Sequence, residues 1–185
     1  MGDLLCDIWF PGKPRGKGRA NFVPRPRGAN MGVTISGVKY YPLKNVGCFP
    51  RPAATKGYED DLRIAIIQQM RKQGHFTAYD GPVKLNWCAY YAANMSDNKK
   101  TKLQKLAGAL ARLMKPDLDN IEKMICDAAN TYVFLDDKQV IDARGVKVFS
   151  DKEGIRMRFY KADALETKAW VDEEFTWEKE EFELV

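Results

Sequence analysis

The chain has 185 residues, 45% of them hydrophobic, and a formal net charge of +5, which suits one domain with a single core and some appended material rather than two full domains. No apolar run reaches the ~20 residues needed to cross a bilayer, and the N-terminus lacks a basic segment leading into a long apolar stretch, so a cytoplasmic location is expected. Cys6, Cys48, Cys88 and Cys126 lack the close spacing of a zinc site and read as free thiols. With His75 the sole histidine, multi-histidine chemistry is excluded, and its place in a Gly-His-Phe loop after a helix argues against Ser-His-Asp and Cys-His chemistry.

The first predicted element is a strand over Leu4 to Phe10, with Leu4, Cys6, Ile8 and Phe10 on one side. Next comes a loop from Pro11 to Arg19, too rich in Gly and Pro for regular structure. Its glycines let the backbone approach a phosphate, and Lys13, Arg15, Lys17 and Arg19 supply charge; a solvated basic loop is the plainer reading. Val33 to Ile35 and Val38 to Tyr41 flank Ser36-Gly37 as a tight hairpin, with Tyr40 and Tyr41 as stacking surfaces for bases or as ordinary strand tyrosines. Through residue 57 the chain is markedly basic, with Asp3 and Asp7 its only acids, and a polyanionic partner fits that balance.

A helix is predicted over Tyr58 to Lys72, with Glu59, Asp60 and Asp61 in its first turn, Arg71 and Lys72 in its last, and Tyr58, Leu62, Ala65, Ile66 and Met70 on its apolar face. Pro82 to Ala92 reads as a strand, Val83, Leu85, Trp87 and Ala89 alternating with Lys84, Asn86 and Cys88. Ser96 reads as the N-cap of a helix carrying Leu103, Leu106, Leu110 and Leu113. Its polar side, with Lys99, Lys100, Lys102, Lys105 and Arg112, either is solvated or tracks a nucleic-acid backbone.

The most informative stretch is Lys115-Pro116-Asp117-Leu118-Asp119-Asn120-Ile121-Glu122-Lys123. A helix is expected from about Asp119 to Asn130, with Ile121, Met124, Ile125 and Ala128 inward and Asp119, Lys123 and Asp127 on another side. After the apolar Tyr132 to Leu135 come Asp136 and Asp137, then a strand Val140 to Phe149 and a hairpin partner Ile155 to Tyr160. Singly, Asp-x-Asp is a common cap and Asp-Asp a common turn. Together with Lys123 they form an assembly with a chemical purpose. Asp117, Asp119 and Asp137 are candidate ligands for one or two Mg²⁺, which activate a water and steady the leaving 3′-oxygen in phosphodiester cleavage. Lys123 is placed to neutralise charge growing on the phosphate.

These residues resemble the RusA-type Holliday junction resolvases, small endodeoxyribonucleases often carried by phages and prophages. The likeness rests on Lys115-Pro116-Asp117-Leu118-Asp119-Asn120-x-x-Lys123, then Asp127-Ala128, Asp136-Asp137-x-Gln139-Val140 and a closing hairpin, together with the loop after Pro11 and the run Ser96 to Lys100. The resemblance implies an α/β (α+β) fold, a single mixed sheet with antiparallel hairpins packed against two to three helices. It also implies a homodimer that nicks a four-way DNA junction symmetrically with Mg²⁺, Mn²⁺ being a substitute. By residue match, Asp117, Asp119 and Asp137 become metal ligands and Lys123 the catalytic lysine, with Lys13, Arg15, Lys17, Arg19, Lys99, Lys100 and Lys115 facing DNA. A flap or other branched-DNA nuclease and a non-catalytic DNA-binding protein are the alternatives.

Two departures stand out: Ala20-Asn21 occupies a place where relatives often have Pro-Arg, and Pro116 stands where some have Arg. The nuclease domain is expected over 1–162. Residues 163–185 match nothing in the family and form an acidic extension interrupted by Trp170, Phe175, Trp177 and Phe182. That pattern fits a packed or partner-binding segment, or one that mimics DNA and covers the basic surface.

Overall fold

The computed structural model describes residues 2–17, 22–23, 33–35, 38–40, 47–48 and 53–174. In chain order the elements are β1 (Leu4–Pro11), β2 (Phe22–Val23), β3 (Val33–Ile35), β4 (Val38–Tyr40), β5 (Gly47–Cys48), α1 (Ala53–Lys72), β6 (Val83–Tyr91), α2 (Lys99–Leu106), α3 (Leu118–Ala129), β7 (Val140–Phe149), β8 (Gly154–Lys161) and α4 (Ala164–Glu174). The main sheet is mixed, in the order β1-β8-β6-β7, so the α+β class expected from the sequence is the one found. β2 with β5, and β3 with β4, form separate two-stranded antiparallel ribbons. The pairing of Val33 to Ile35 with Val38 to Tyr40 agrees with the hairpin reading, while its turn Ser36-Gly37, Tyr41 and Arg19 lie outside the described residues.

β6 alternates without a break between buried and half-buried residues. Val83, Leu85, Trp87, Ala89 and Tyr91 point inward, and Lys84, Asn86, Cys88 and Tyr90 point outward. The inner face meets Leu62, Ile66 and Met70 of α1 and Ile121, Met124, Ile125 and Ala128 of α3, and Phe134 packs tilted on Phe159, ring centroids 6.1 Å apart. The 3.6-residue period of both helices and the two-residue period of the strands converge on this one core.

Several expectations are corrected. β7 and β8 do not pair as a hairpin: β6 lies between them, parallel to β7 and antiparallel to β8. The link from Ser150 to Glu153 passes the end of β6, where the Ser150 amide donates to the Tyr91 carbonyl. In β1 a register shift between Leu4 and Cys6 turns Leu5 inward and leaves Leu4 exposed. α1 starts at Ala53, so Glu59, Asp60 and Asp61 lie beyond its first turn. α2 is capped by Asn98, whose side chain accepts from the Thr101 amide, and not by Ser96. The helix stops at Leu106 because Gly108 turns left-handed at φ 78°, so Leu110 and Leu113 fall outside it. None of α2 is buried, contrary to the expected apolar face.

No helix among the described residues is long and apolar enough to cross a membrane.

Candidate functional site

α3 and its surroundings carry the acidic motif. Asp117 is its N-cap residue, with extended backbone and no capping bond from its side chain, so the carboxylate is left to face outward. Asp119 lies in the first turn, where the positive end of the helix dipole favours negative charge. At 100° per residue, Asp119 and Lys123 head the exposed ridge, with Asn120 and Asp127 on one flank and Glu122 and Cys126 on the other.

The basic loop docks on the first flank. The Lys17 amide donates to the Asn120 carbonyl at 2.8 Å, and Gly16 lies so close that a Cβ there would come within 2.7 Å of the Pro116 Cβ and 2.9 Å of the Asn120 Cβ. Glycine at 16 is therefore what allows the loop to lie against α3. The Lys17 ammonium turns inward to ion-pair with Asp127 and reaches Glu59 at 3.9 Å, so its charge fastens the loop rather than facing outward as expected. Glu59, buried on α1, also pairs with Arg63. What results is an open groove of about 760 Å³ whose walls include Lys13, Arg15 and Lys115, with Asp117 at its lip. Lys99 and Lys100 are exposed on α2 and take no part in that lining.

The second flank meets the sheet. Trp87 lies over Gly145 of β7, where a Cβ would fall 2.1 Å from the indole, and its Nε1 donates to Glu122 at 3.2 Å. Burial pushes the Cys126 thiol up to about 12, and the charges of Glu122 and Asp137 add to the shift. Asp137 sits in a 3₁₀ turn, Asp137–Gln139, directly before β7. Gln139 fixes that turn by using its whole hydrogen-bonding capacity. Its Oε1 accepts from the amides of Leu135 (2.7 Å) and Asp136 (2.9 Å), and its Nε2 donates to the carbonyls of Tyr79 (3.1 Å) and Gly81 (2.9 Å).

Asp119 and Cys126 lie two helical turns apart, ~10 Å along the axis. Among the described residues no three His, Cys, Asp or Glu side chains are gathered into a group that could hold a metal. The donors are of the right kind for a hard cation, all carboxylate oxygen, but the three-aspartate cluster is not assembled by these side-chain positions.

Sequence reasoning missed several supports. Arg112, read as part of a solvated or DNA-tracking face, is buried: its guanidinium stacks 4.3 Å from the Tyr91 ring centroid and donates to the Lys115 carbonyl at 3.1 Å. Lys147 of β7 donates to the carbonyls of Met114 (3.2 Å) and Pro116 (2.9 Å). Lys105, from the same expected face, pairs with Asp97 at 2.6 Å and sits over Phe149. Glu122 could have been noticed, being three residues after Asp119 and hence on its side of the helix. The burial of Arg112 and the role of Lys147 carry no local signal, because Tyr91 stacks on the first and the second bonds carbonyls some thirty residues back.

The described part of the acidic extension, α4, lies on the outer face of the main sheet. α4 sits over outward residues of β6, β7 and β8, with Trp170 4.4 Å from the Arg144 guanidinium, whereas the groove beside Asp117 belongs to the helix side of the sheet. α4 therefore does not cover the basic groove.

A Bacillus subtilis (strain 168) chain named "Uncharacterized protein YqaN" is similar, 29% identical over 115 residues that make up 61% of this chain and 78% of that one. The model of the family described as "Endodeoxyribonuclease RusA" matches residues 11–160, from the basic loop through the end of β8, taking in both acidic motifs and the groove. On that match, the chain belongs to the RusA family of endodeoxyribonucleases, the Holliday junction resolvases.

Proposed function

We propose that the chain is a structure-selective DNA endonuclease that resolves four-way junctions by paired symmetric nicks, working as a homodimer at Asp117, Asp119, Asp137 and Lys123. The observation that carries this reading is the docking of the basic loop on α3, which puts Lys13, Arg15 and Lys115 in one groove with Asp117. A nucleic-acid backbone lying there has its phosphates drawn to cations and led to the acidic ridge.

The three aspartates supply the carboxylate oxygens that would hold a divalent cation, Mg²⁺ or Mn²⁺, and since their side chains are not gathered here, holding one would require them to draw together. Once bound, such an ion supplies a water activated for attack and a counter-charge at the leaving oxygen. Lys123, one turn beyond Asp119, offers an ammonium to the phosphate as negative charge accumulates on it. Two equivalent cuts call for two equivalent sites, which a two-fold dimer provides.

The deciding experiment compares the parent and Asp119→Asn on four-way junction, flap and duplex DNA, with and without Mg²⁺. The expected result is Mg²⁺-dependent junction nicking by the parent and a loss of about a thousandfold in the variant, equal to ~4 kcal/mol of transition-state stabilisation. Retained nicking by Asp119→Asn overturns the assignment. Faster cutting of flaps than of junctions moves the substrate to flap DNA, and binding without cutting would leave a DNA-binding protein.

A further inference from the structure

The outer face of the main sheet is covered unevenly. Near the start of β6, α4 closes a cavity of about 400 Å³ with Lys84, Asn86, Asp142, Arg144 and Tyr160. Beyond it the same face opens as a second groove, about 360 Å³, lined by Cys88, Tyr90, Val146, Arg156 and Arg158, with Asn86 and Arg144 common to both. Trp9, itself 44% exposed, meets Tyr90 at 5.5 Å between ring centroids, and Val146 and Val148 are also exposed. The chemistry of this half is aromatic, aliphatic and cationic. Three arginines, Arg144, Arg156 and Arg158, line it, and Asp7 is shared by two of them, Arg156 and Arg158.

We infer that this open half is the docking site for the chain's own C-terminal segment, Phe175 to Val185. That segment starts where α4 ends, on the same face. It brings Phe175, Trp177 and Phe182 for the apolar surface, and Glu178, Glu180, Glu181 and Glu183 against one Lys179 for the arginines. Arg144 already holds Trp170 of α4 at 4.4 Å, and its guanidinium borders the open groove as well. Length is sufficient: a chain of this size spans up to ~35 Å when extended, whereas four strands are only ~15 Å across. Ion pairs between carboxylates and arginines, with aromatic rings on Val146, Val148 and Trp9, make the surface complementary in both charge and polarity. The inference does not depend on the nuclease reading.

Cys88, on the floor of the open groove, is a native reporter. The experiment measures its alkylation by N-ethylmaleimide in the full-length protein, peptide by peptide, with the core residue Cys6 as a check on folding. Two full-length variants are compared with the parent: Glu178→Lys/Glu180→Lys/Glu181→Lys/Glu183→Lys, and Trp177→Ser. Docking predicts that Cys88 reacts roughly fivefold faster in both variants while Cys6 stays protected. Equal Cys88 rates in all three proteins overturn the inference. So does protection that grows with protein concentration, since a second copy would then supply the covering segment.

Discussion

The ammonium of Lys147, near the end of β7, donates to the main-chain carbonyl of Pro116 at 2.9 Å, one residue before Asp117. With Arg112 holding the Lys115 carbonyl, two cations from different parts of the chain fix the backbone that presents the first aspartate. Replacing Lys147 with Met should keep the strand and loosen that turn. Hydrogen bonds from charged groups contribute ~1.5–3 kcal/mol, so junction nicking should fall by roughly three- to thirteenfold if half of that acts on Asp117 placement. Single-turnover nicking beside a binding titration checks this. Affinity should change little, and a variant with the parent's nicking rate would refute the positioning role.

Gln139→Ala should destabilise the protein by roughly 2–4 kcal/mol, because two amides and two carbonyls lose their partner at one step. Gln139→Glu should also be costly, since a carboxylate would face the Tyr79 and Gly81 carbonyls where the amide now donates. Urea unfolding measures the first effect. Nicking by whatever folded protein remains should also drop, as the turn bearing Asp137 loosens.

The cations around α3 should separate into two kinds. Removing Arg15 or Lys115 should reduce the slope of log affinity against log salt by ~0.9 for each phosphate left unneutralised on duplex arms, with little change in stability. Lys17→Met should instead lower stability, because it strips Asp127 and Glu59 of a partner. Gly16→Val should weaken DNA binding without removing any charge, by forcing the loop off Pro116 and Asn120. Salt-dependent binding titrations paired with thermal melts distinguish the two kinds.

Alkaline solution should weaken the fold. Burial raises the thiols of Cys6 and Cys126 to about 12, with Asp7 adding to the first and Glu122 and Asp137 to the second. Unfolded thiols ionise near pH 8.5, so from there to about pH 12 the unfolded chain has released protons that the folded one keeps. Stability therefore falls as pH rises through that window, by at most ~1.4 kcal/mol per pH unit per thiol. Urea midpoints between pH 8 and pH 10.5 should decline, and Cys126→Ala should flatten the decline. A parent profile level over that range would contradict it.

Much of this could be read from local pattern. The alternation over Val83 to Tyr91 identifies β6 and its faces, and the spacing of Ile121, Met124, Ile125 and Ala128 identifies α3 and the face opposite Asp119 and Lys123, because a two-residue or 3.6-residue period is written into the order of side chains. Strand order is not local. That β8 pairs with β1 and β6 is decided by contacts among segments up to about 150 positions apart, and adjacency of β7 and β8 in sequence pointed to the wrong neighbour. Arg112 shows the same limit within the site. Its charge suggests solvent, and only the arrival of Tyr91 and Phe149 beneath it makes a buried guanidinium tolerable.

Both acidic motifs ride on one excursion of the chain, between the end of β6 and the start of β7, two strands hydrogen-bonded side by side. The proposed catalytic apparatus is thus a single cassette clipped into neighbouring slots of the sheet. Extra residues inserted between Ala107 and Ala111, past α2 and ahead of Arg112, would lengthen the cassette's outer rim while leaving its two anchored ends, and the acids beside them, where they are.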